Sequence, residues 1–360
     1  MEKNFKYLAS LIPEEILKPV LLDTSFLVGG AVRDFLFNLE PNDFDIVVER
    51  KYFNDLISYF SKKGFKFIYL NPRKFPLLRV FYKDGTFDFT FYDDLETDLM
   101  HRDFTINAIY VNLSNFNFIS HASSFFDLEN RILNVVSTNS IKIDPVRYMR
   151  AFRFIANFDL TVEEKTREIL VEDARLYSHS KKERAREELF KFLSLDSETI
   201  EKALSKVYKG FTLKGKERIH LSYSIEEFYG EVNFGVTYSD LLKLYFVSLD
   251  FENFTYGLSK KENVIMNFLK KEIKEDFDEL FEVYFENHKK TIYIMLNVVA
   301  RYPLEKISKY LLLLRAFANT KVDFDDITEF KNTKKVDIAI AHKLALKEKL
   351  REVYENIFGS

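Results

Sequence analysis

The chain has 360 residues, 53 basic and 56 acidic side chains, a formal net charge of −3, and no cysteine. Disulfides and thiolate-held zinc are thereby excluded, and the mildly acidic balance excludes a uniformly basic nucleic-acid binder, so such a partner would be met by a local basic surface. The length suits two or three domains; with no apolar leader at Met1-Glu2-Lys3-Asn4 and no run of about 18 apolar residues, the expectation is a cytoplasmic protein without membrane spans.

Residues 1–139 read as mixed α/β. Apolar stretches at 26–29, 44–48, 66–70, 78–82, 86–91 and 107–112 predict short strands, and 31–38 and 51–63 predict helices packed on them. Gly29-Gly30 closes the run Phe26-Leu27-Val28 and opens a helical pattern, which puts bare backbone N–H groups where phosphate oxygens bind. Two glycines after a strand are, on their own, more often a tight turn. Asp43 and Asp45 then flank Phe44, and the two-residue period of a strand points both carboxylates to one face. Close carboxylates repel one another unless a divalent cation neutralises them, and Mg²⁺ is the natural occupant. Asp-Phe-Asp recurs at 276–278 and 323–325, where a solvated helix end or turn is the reading. The first copy differs by its order: strand, Gly-Gly, helix, Asp-x-Asp strand.

From about residue 140 the pattern turns helical. Asp144-Pro145 predicts a helix start, with aspartate as N-cap and proline in the first turn, and Arg147, Arg150 and Arg153 fall on one helical face. Turns are expected at 178–180, 209–216 and 256–261. Lys331, Lys334, Lys335, Lys343, Lys347, Lys349 and Arg351 gather positive charge, which suits either an RNA-phosphate surface or a solvated helix paired with Glu348 and Glu352. None of the six histidines stands at a metal-ligand spacing from another.

Five motifs in order carry a resemblance. Gly29-Gly30-Ala31-Val32-Arg33-Asp34 with Asp43-Phe44-Asp45 matches GG-x-VRD followed by D-x-D, and His101-Arg102-Asp103-Phe104-Thr105-Ile106-Asn107-Ala108 matches RRDFTINA. Phe126-Asp127-Leu128 matches a third motif. Residues 144–154 match EDPxRxLRAxRF from its aspartate onward, and Glu183 to Leu189 matches ERxxxEL. The chain thus resembles the class II nucleotidyltransferases, the tRNA CCA-adding enzymes and bacterial poly(A) polymerases.

The resemblance implies an α+β chain: a nucleotidyltransferase head (1–139) with a small mixed sheet and flanking helices, a helical neck (140–195) that reads the base, and an all-α body and tail (196–360) that hold RNA. The implied reaction is attack by an RNA 3′-hydroxyl on the α-phosphorus of CTP or ATP, with Mg²⁺ held by Asp43 and Asp45. Asp88 occupies the position of a third catalytic carboxylate; its plainer reading is a polar residue on a solvent-facing strand. Gly29 and Gly30 line the nucleotide site with Asp103. Arg33 and Arg102 suit the triphosphate, because a guanidinium holds two oxygens and keeps its charge; ion pairs with Asp34 and Asp103 are the plainer alternative. Asn107 suits a ribose hydroxyl. Asp144 and Arg147 are implied to read the base, Arg150 and Arg153 to serve phosphate or structural pairs, and Glu183, Arg184 and Glu188 to brace that helix. The implied partner is tRNA, at its 3′ end and elbow; oligomeric state stays open. An ATP-only poly(A) polymerase and an inactive RNA-binding homologue are the alternatives.

Departures are local. His101 replaces an arginine, Ile143 a glutamate, and Ser123-Ser124-Phe125 the usual glycines. Only Phe89 to His101 separates Asp88 from Arg102, where CCA-adding enzymes carry a flexible loop that members adding only CC lack. The expectation is cytidine addition with poor terminal adenylation.

Overall fold

The computed structural model describes residues 4–41, 43–70, 76–83, 85–219, 236–273, 276–287, 291–323, 325, 327–328, 331, 334 and 336–359. Lys335 and the central Phe324 of the third Asp-Phe-Asp lie outside them. The chain divides into two compact units, Met1–Ser180 with Lys202–Lys209, and Lys181–Glu201 with Gly210–Ser360. The helices expected for the neck are therefore shared between the units.

In the first unit α1 (Phe5–Ser10) and α2 (Glu14–Leu17) precede a seven-stranded sheet. Its strands are β1 (Ser25–Val28), β2 (Phe44–Glu49), β3 (Lys66–Leu70), β4 (Leu77–Tyr82), β5 (Gly85–Tyr92), β6 (Ile109–Asn112) and β7 (Phe118–Ser120), in the order β3-β4-β5-β2-β1-β6-β7. β2 and β5 run parallel, and every other neighbouring pair is antiparallel. Burial follows this order: all four residues of central β1 are buried, whereas edge strand β3 leaves Ile68 and Leu70 about half exposed. α3 (Gly30–Leu36) links β1 to β2, and α4 (Phe53–Lys62) buries Leu56 and Phe60, the latter against Phe89 of β5 with ring centroids 5.3 Å apart.

β5 is followed almost at once by α5 (Leu95–Met100), whose first turn is capped by Asp94 accepting from the Thr97 N–H. Thr105–Asn107 forms a 3₁₀ turn, so Asn107 precedes β6 and does not lie in a strand as expected. β7 has no counterpart in the predicted strands; its three residues sit in an Asn-rich segment too short to show a period. Then come α6 (Ser124–Glu129), β8 (Ile132–Leu133), α7 (Ser140–Ile143), α8 (Arg147–Phe158), β9 (Thr161–Val162) and α9 (Glu164–Glu172). β8 and β9 form a short parallel pair, and β9 is a strand inside the region expected to be helical. α8 starts three residues later than Asp144, which instead ends α7 and accepts the Val146 N–H at 3.4 Å.

The second unit is helical among its described residues. α10 (Lys182–Leu193) begins it and α11 (Ser197–Val207) spans the boundary. Capping boxes at Thr237 and Ser259 start the helices Tyr238–Ser248 and Lys260–Lys270. Fully buried Glu262 also pairs with Arg186 on α10 at 2.5 Å. The helices Phe277–Asn287, Thr291–Arg301, Leu304–Asn319 and Ile338–Phe358 complete it. No helix among the described residues is long and apolar enough to cross a membrane.

Candidate nucleotide and metal site

Three strands bring the acidic residues together by register. Asp45 on β2 lies opposite Val28 of β1 and, on the other side, opposite Asp88 of β5; Asp88 in turn faces Arg79 of β4. Directly opposed residues share a sheet face, so Asp45, Asp88 and Arg79 form one row. Beside the row, Gly29 has φ +71°, and a Cβ there would lie 3.3 Å from Asp45 Oδ2. Glycine is required on both counts, by the left-handed backbone and by the close approach of the carboxylate. Asp43 is exposed at the end of β2. Burial pushes the Asp45 carboxyl up to about 6; the positive charge of Arg102 opposes this, and the negative charges of Asp88 and Asp43 add to it.

Among the described residues, no three acidic or histidine side chains already gather as a metal-binding group. Asp88 is held away, since Arg79 donates from Nε to Oδ1 at 2.7 Å and from Nη2 to Oδ2 at 2.6 Å. The donor set that remains, Asp43 and Asp45, still fits Mg²⁺, which takes one or two carboxylates and completes its shell with water and substrate phosphate.

Arg102 follows α5 and is held from two sides. Its Nε donates to the Tyr110 hydroxyl at 2.6 Å and its Nη2 to Asp98 at 2.8 Å, while Tyr110 donates to the same Asp98 carboxylate. Nη1 makes no hydrogen bond among the described residues. Burial disfavours the charge, and the Tyr110 hydroxyl and Asp98 more than offset it, so Arg102 stays protonated. The expected alternative partner, Asp103, is occupied elsewhere.

Asp103 is the centre of a buried network. Its Oδ1 accepts from Asn107 Nδ2 at 2.9 Å and from the Phe104 N–H at 2.8 Å, and its Oδ2 from Arg150 Nη2 at 2.8 Å. Burial pushes this carboxyl up, but Arg150, Asn107 and Arg147 outweigh it and hold it at about 2. Asn107 Oδ1 in turn accepts from Arg33 Nη1 at 2.8 Å. Arg33 is buried, donates from Nε and Nη2 to Asp34, and lies with Cζ 5.0 Å and 4.7 Å from the Phe154 and Phe158 ring centroids. Burial lowers its pKa against the pull of Asp34.

The basic row of α8 is divided among tasks. Arg150 goes to Asp103, Arg153 lies over the Phe154 ring at 4.6 Å, and Arg147 donates to the carbonyls of His101, Arg102 and Ser140. Arg147 thus ties the turn that presents Arg102. Asp127 is buried and accepts from Thr105 Oγ1 and Asn134 Nδ2, supporting the 3₁₀ turn from below. Ser124 donates to the Thr105 carbonyl at 2.7 Å. Glu183, Arg184 and Glu188 all lie on α10 in the second unit, with Glu188 buried. Lys343 pairs with Glu282, Lys347 and Arg351 pair with Asp278, and Lys349 lies 3.8 Å from Asp323, so much of the C-terminal basic run is neutralised within its own unit.

The structure therefore brings Gly29, Asp43, Asp45, Asp88 and Arg102 to one corner, and places Arg33, Asp103, Asn107 and Arg150 in the network beneath α8. Sequence reasoning missed Arg79, Asp98 and Tyr110. Asp98 and Arg102 stand four apart across the end of a helix, a spacing that could have been noticed; Arg79 needed the strand register, and Tyr110 needed the sheet.

Residues 25–134 match the model of the poly A polymerase head domain. A CCA-adding enzyme of Lactobacillus johnsonii is 30% identical over 181 residues, 46% of this chain and 45% of the relative. A CC-adding tRNA nucleotidyltransferase of Synechocystis sp. is 35% identical over 150 residues, 41% of this chain and 36% of the relative. The chain thus spans less than half the length of these curated relatives. The CCA-adding enzyme of Thermotoga maritima, solved in complex with tRNA, is similar in structure with a TM-score of 0.67 over 99% of this chain and 98% of that one, at 22% identity, a likeness of fold.

Proposed function

We propose that the chain is a template-independent nucleotidyltransferase that adds cytidine, and less readily adenosine, to the 3′ end of tRNA. The observation that carries this reading is the register placing Asp45 between the Gly29 turn and Asp88, with Arg102 close enough to act on its charge. Relatives that match part of the chain are named as a CCA-adding enzyme and a CC-adding tRNA nucleotidyltransferase.

Asp43 and Asp45 would hold Mg²⁺, which neutralises the triphosphate and makes the RNA 3′-hydroxyl a better nucleophile. The backbone N–H groups at Gly29 and Gly30 meet phosphate oxygens, and Arg102, fixed by Asp98 and Tyr110, offers Nη1 to the same group. The O3′–Pα bond forms as the 3′-hydroxyl gives up its proton to solvent and the bond from Pα to the bridging oxygen breaks, and pyrophosphate carries away the electron pair. Positioning and charge supply the rate, because little covalent work falls to the protein. Asp144 and Arg147 are assigned to the incoming base. Arg33 and Asn107 are assigned to support the triphosphate and ribose region. α10 with Glu183, Arg184 and Glu188 is assigned a bracing role, and the helices beyond 196 the tRNA body. The head, neck, and body-and-tail division at 139 and 195 belongs to this reading.

One feature favours the CC-restricted form. Only Asp93 and Asp94 join β5 to α5, so no flexible loop intervenes between the strand of Asp88 and the helix before Arg102. The test is extension of tRNA ending before CCA, after C and after CC, with CTP and ATP given separately and together, read at single-nucleotide length. Arrest at CC is expected. Full CCA would remove the restriction, ATP-only extension of unrelated RNA would indicate a poly(A) polymerase, and no addition would overturn the reading.

A further inference from the structure

Both oxygens of Asp88 are taken by one guanidinium, through the parallel bonds from Arg79 Nε and Nη2. A carboxylate bound this way keeps a lone pair on each oxygen, but its charge is already paired at short range, so a metal gains less from it until the arginine withdraws. The pair is asymmetric: the Arg79 side chain is 44% exposed and that of Asp88 19%, so the cation is the member with room to move. Strand register sets Asp88 directly beside Asp45, and the charges of Asp45 and Asp43 also act on Arg79. A tethered monovalent cation and an incoming divalent one therefore address the same acidic corner.

We propose that Arg79 is the internal counter-ion of this corner, a positioning residue that holds Asp88 in the resting protein and yields it when a divalent cation enters. The inference rests on the nucleotidyltransferase reading and adds to it a competition between Arg79 and the metal. Its consequence is that the resting protein binds divalent cation weakly, so premature occupancy without nucleotide is disfavoured. The opposing account is a cross-strand ion pair that merely ties β4 to β5. A cross-strand pair with so exposed an arginine adds little to folding, so both accounts leave R79Q folded, and they differ in metal affinity.

The test is Mn²⁺ binding to the full chain, by calorimetry and by loss of the free-ion electron paramagnetic signal, with and without CTP. Arg79→Gln is expected to bind Mn²⁺ about tenfold more tightly than the unaltered protein in the absence of CTP, the effect of removing one positive charge a few ångströms away. Arg79→Lys, which keeps the charge, is expected to restore most of the weak binding. In an Asp88→Asn background the gain from Arg79→Gln is expected to shrink, because the competition runs through that carboxylate. Equal or weaker binding by Arg79→Gln, with Mn²⁺ still bound by the unaltered protein in the presence of CTP, would overturn the role of Arg79 alone. Absence of Mn²⁺ binding by every form, with and without CTP, would overturn the metal-dependent reading beneath it.

Discussion

Asp45 and Asp103 lie in the same unit, both near arginines, and titrate in opposite directions. Asp45 sits in a corner where the charges of Asp88 and Asp43 are set against those of Arg102 and Arg150, and it is pushed up to about 6, chiefly by burial. Asp103 has Arg150, Asn107 and a backbone N–H around it and is held at about 2 despite its burial. Among the described residues the Asp45 carboxylate accepts no hydrogen bond and so is suited to receive a cation; the Asp103 carboxylate is saturated and suited to hold structure. A satisfied buried network builds a site, and an unsatisfied one binds.

The largest effect expected from breaking this contrast is at Asp45. Asp45→Asn should lower nucleotide addition by about a thousandfold, the equivalent of several kcal/mol of lost charge stabilisation, while the folded protein loses nothing. Single-turnover extension assays alongside denaturant midpoints check both halves. Asp103→Asn should instead cost about 3 kcal/mol of stability, because Arg150 is left against a neutral partner, and urea unfolding measures it.

The two residues should also separate by pH in metal-free buffer. A carboxyl raised to about 6 binds its proton more tightly when folded, so its contribution favours the fold at low pH and is lost as pH rises from about 4 to 6. A carboxyl held at about 2 contributes stability above about 4 that is lost as pH falls toward 2. Midpoints measured against pH should therefore lose the first slope in Asp45→Asn and the acid-side slope in Asp103→Asn. A profile unchanged by either substitution would break the comparison.

Tyr110→Phe sharpens it further. Removing the hydroxyl between Arg102 and Asp98 should cost about 1 kcal/mol and raise KM for CTP several-fold while kcat holds, as steady-state kinetics would show. The smallest effect belongs to the C-terminal ion pairs: Lys347→Ala, which removes a surface partner of Asp278, should change stability by less than about 1 kcal/mol in thermal unfolding.

Much of the corner was legible in the sequence, since it is built from local pattern. Gly29-Gly30 after an apolar strand, and Asp43 and Asp45 either side of Phe44, announce themselves by period and turn chemistry. The six expected strands of the sheet also follow apolar runs. What the sequence hid is pairing between elements: Arg79 against Asp88 depends on the register of β4 and β5, and the Arg33–Asn107–Asp103–Arg150 chain joins three distant segments that no local rule connects. The apolar neighbours of Asn107 predict a strand, yet the Thr105 and Asp127 contact fixes a 3₁₀ turn there. Asp144-Pro145 predicts the cap of α8, yet Asp144 closes α7 and a separate turn, with the Arg147 N–H donating to the Asp144 carbonyl, precedes the helix.

The central claim, that the unsatisfied corner receives the cation and the triphosphate, is tested most directly by anomalous diffraction from crystals grown with Mn²⁺ and a CTP analogue that cannot be cleaved between its α- and β-phosphates. The account predicts an anomalous peak bound by Asp43 and Asp45, with phosphate oxygens reaching the Gly29 turn and Arg102. A triphosphate bound elsewhere, or a corner without manganese while the analogue is present, would contradict it.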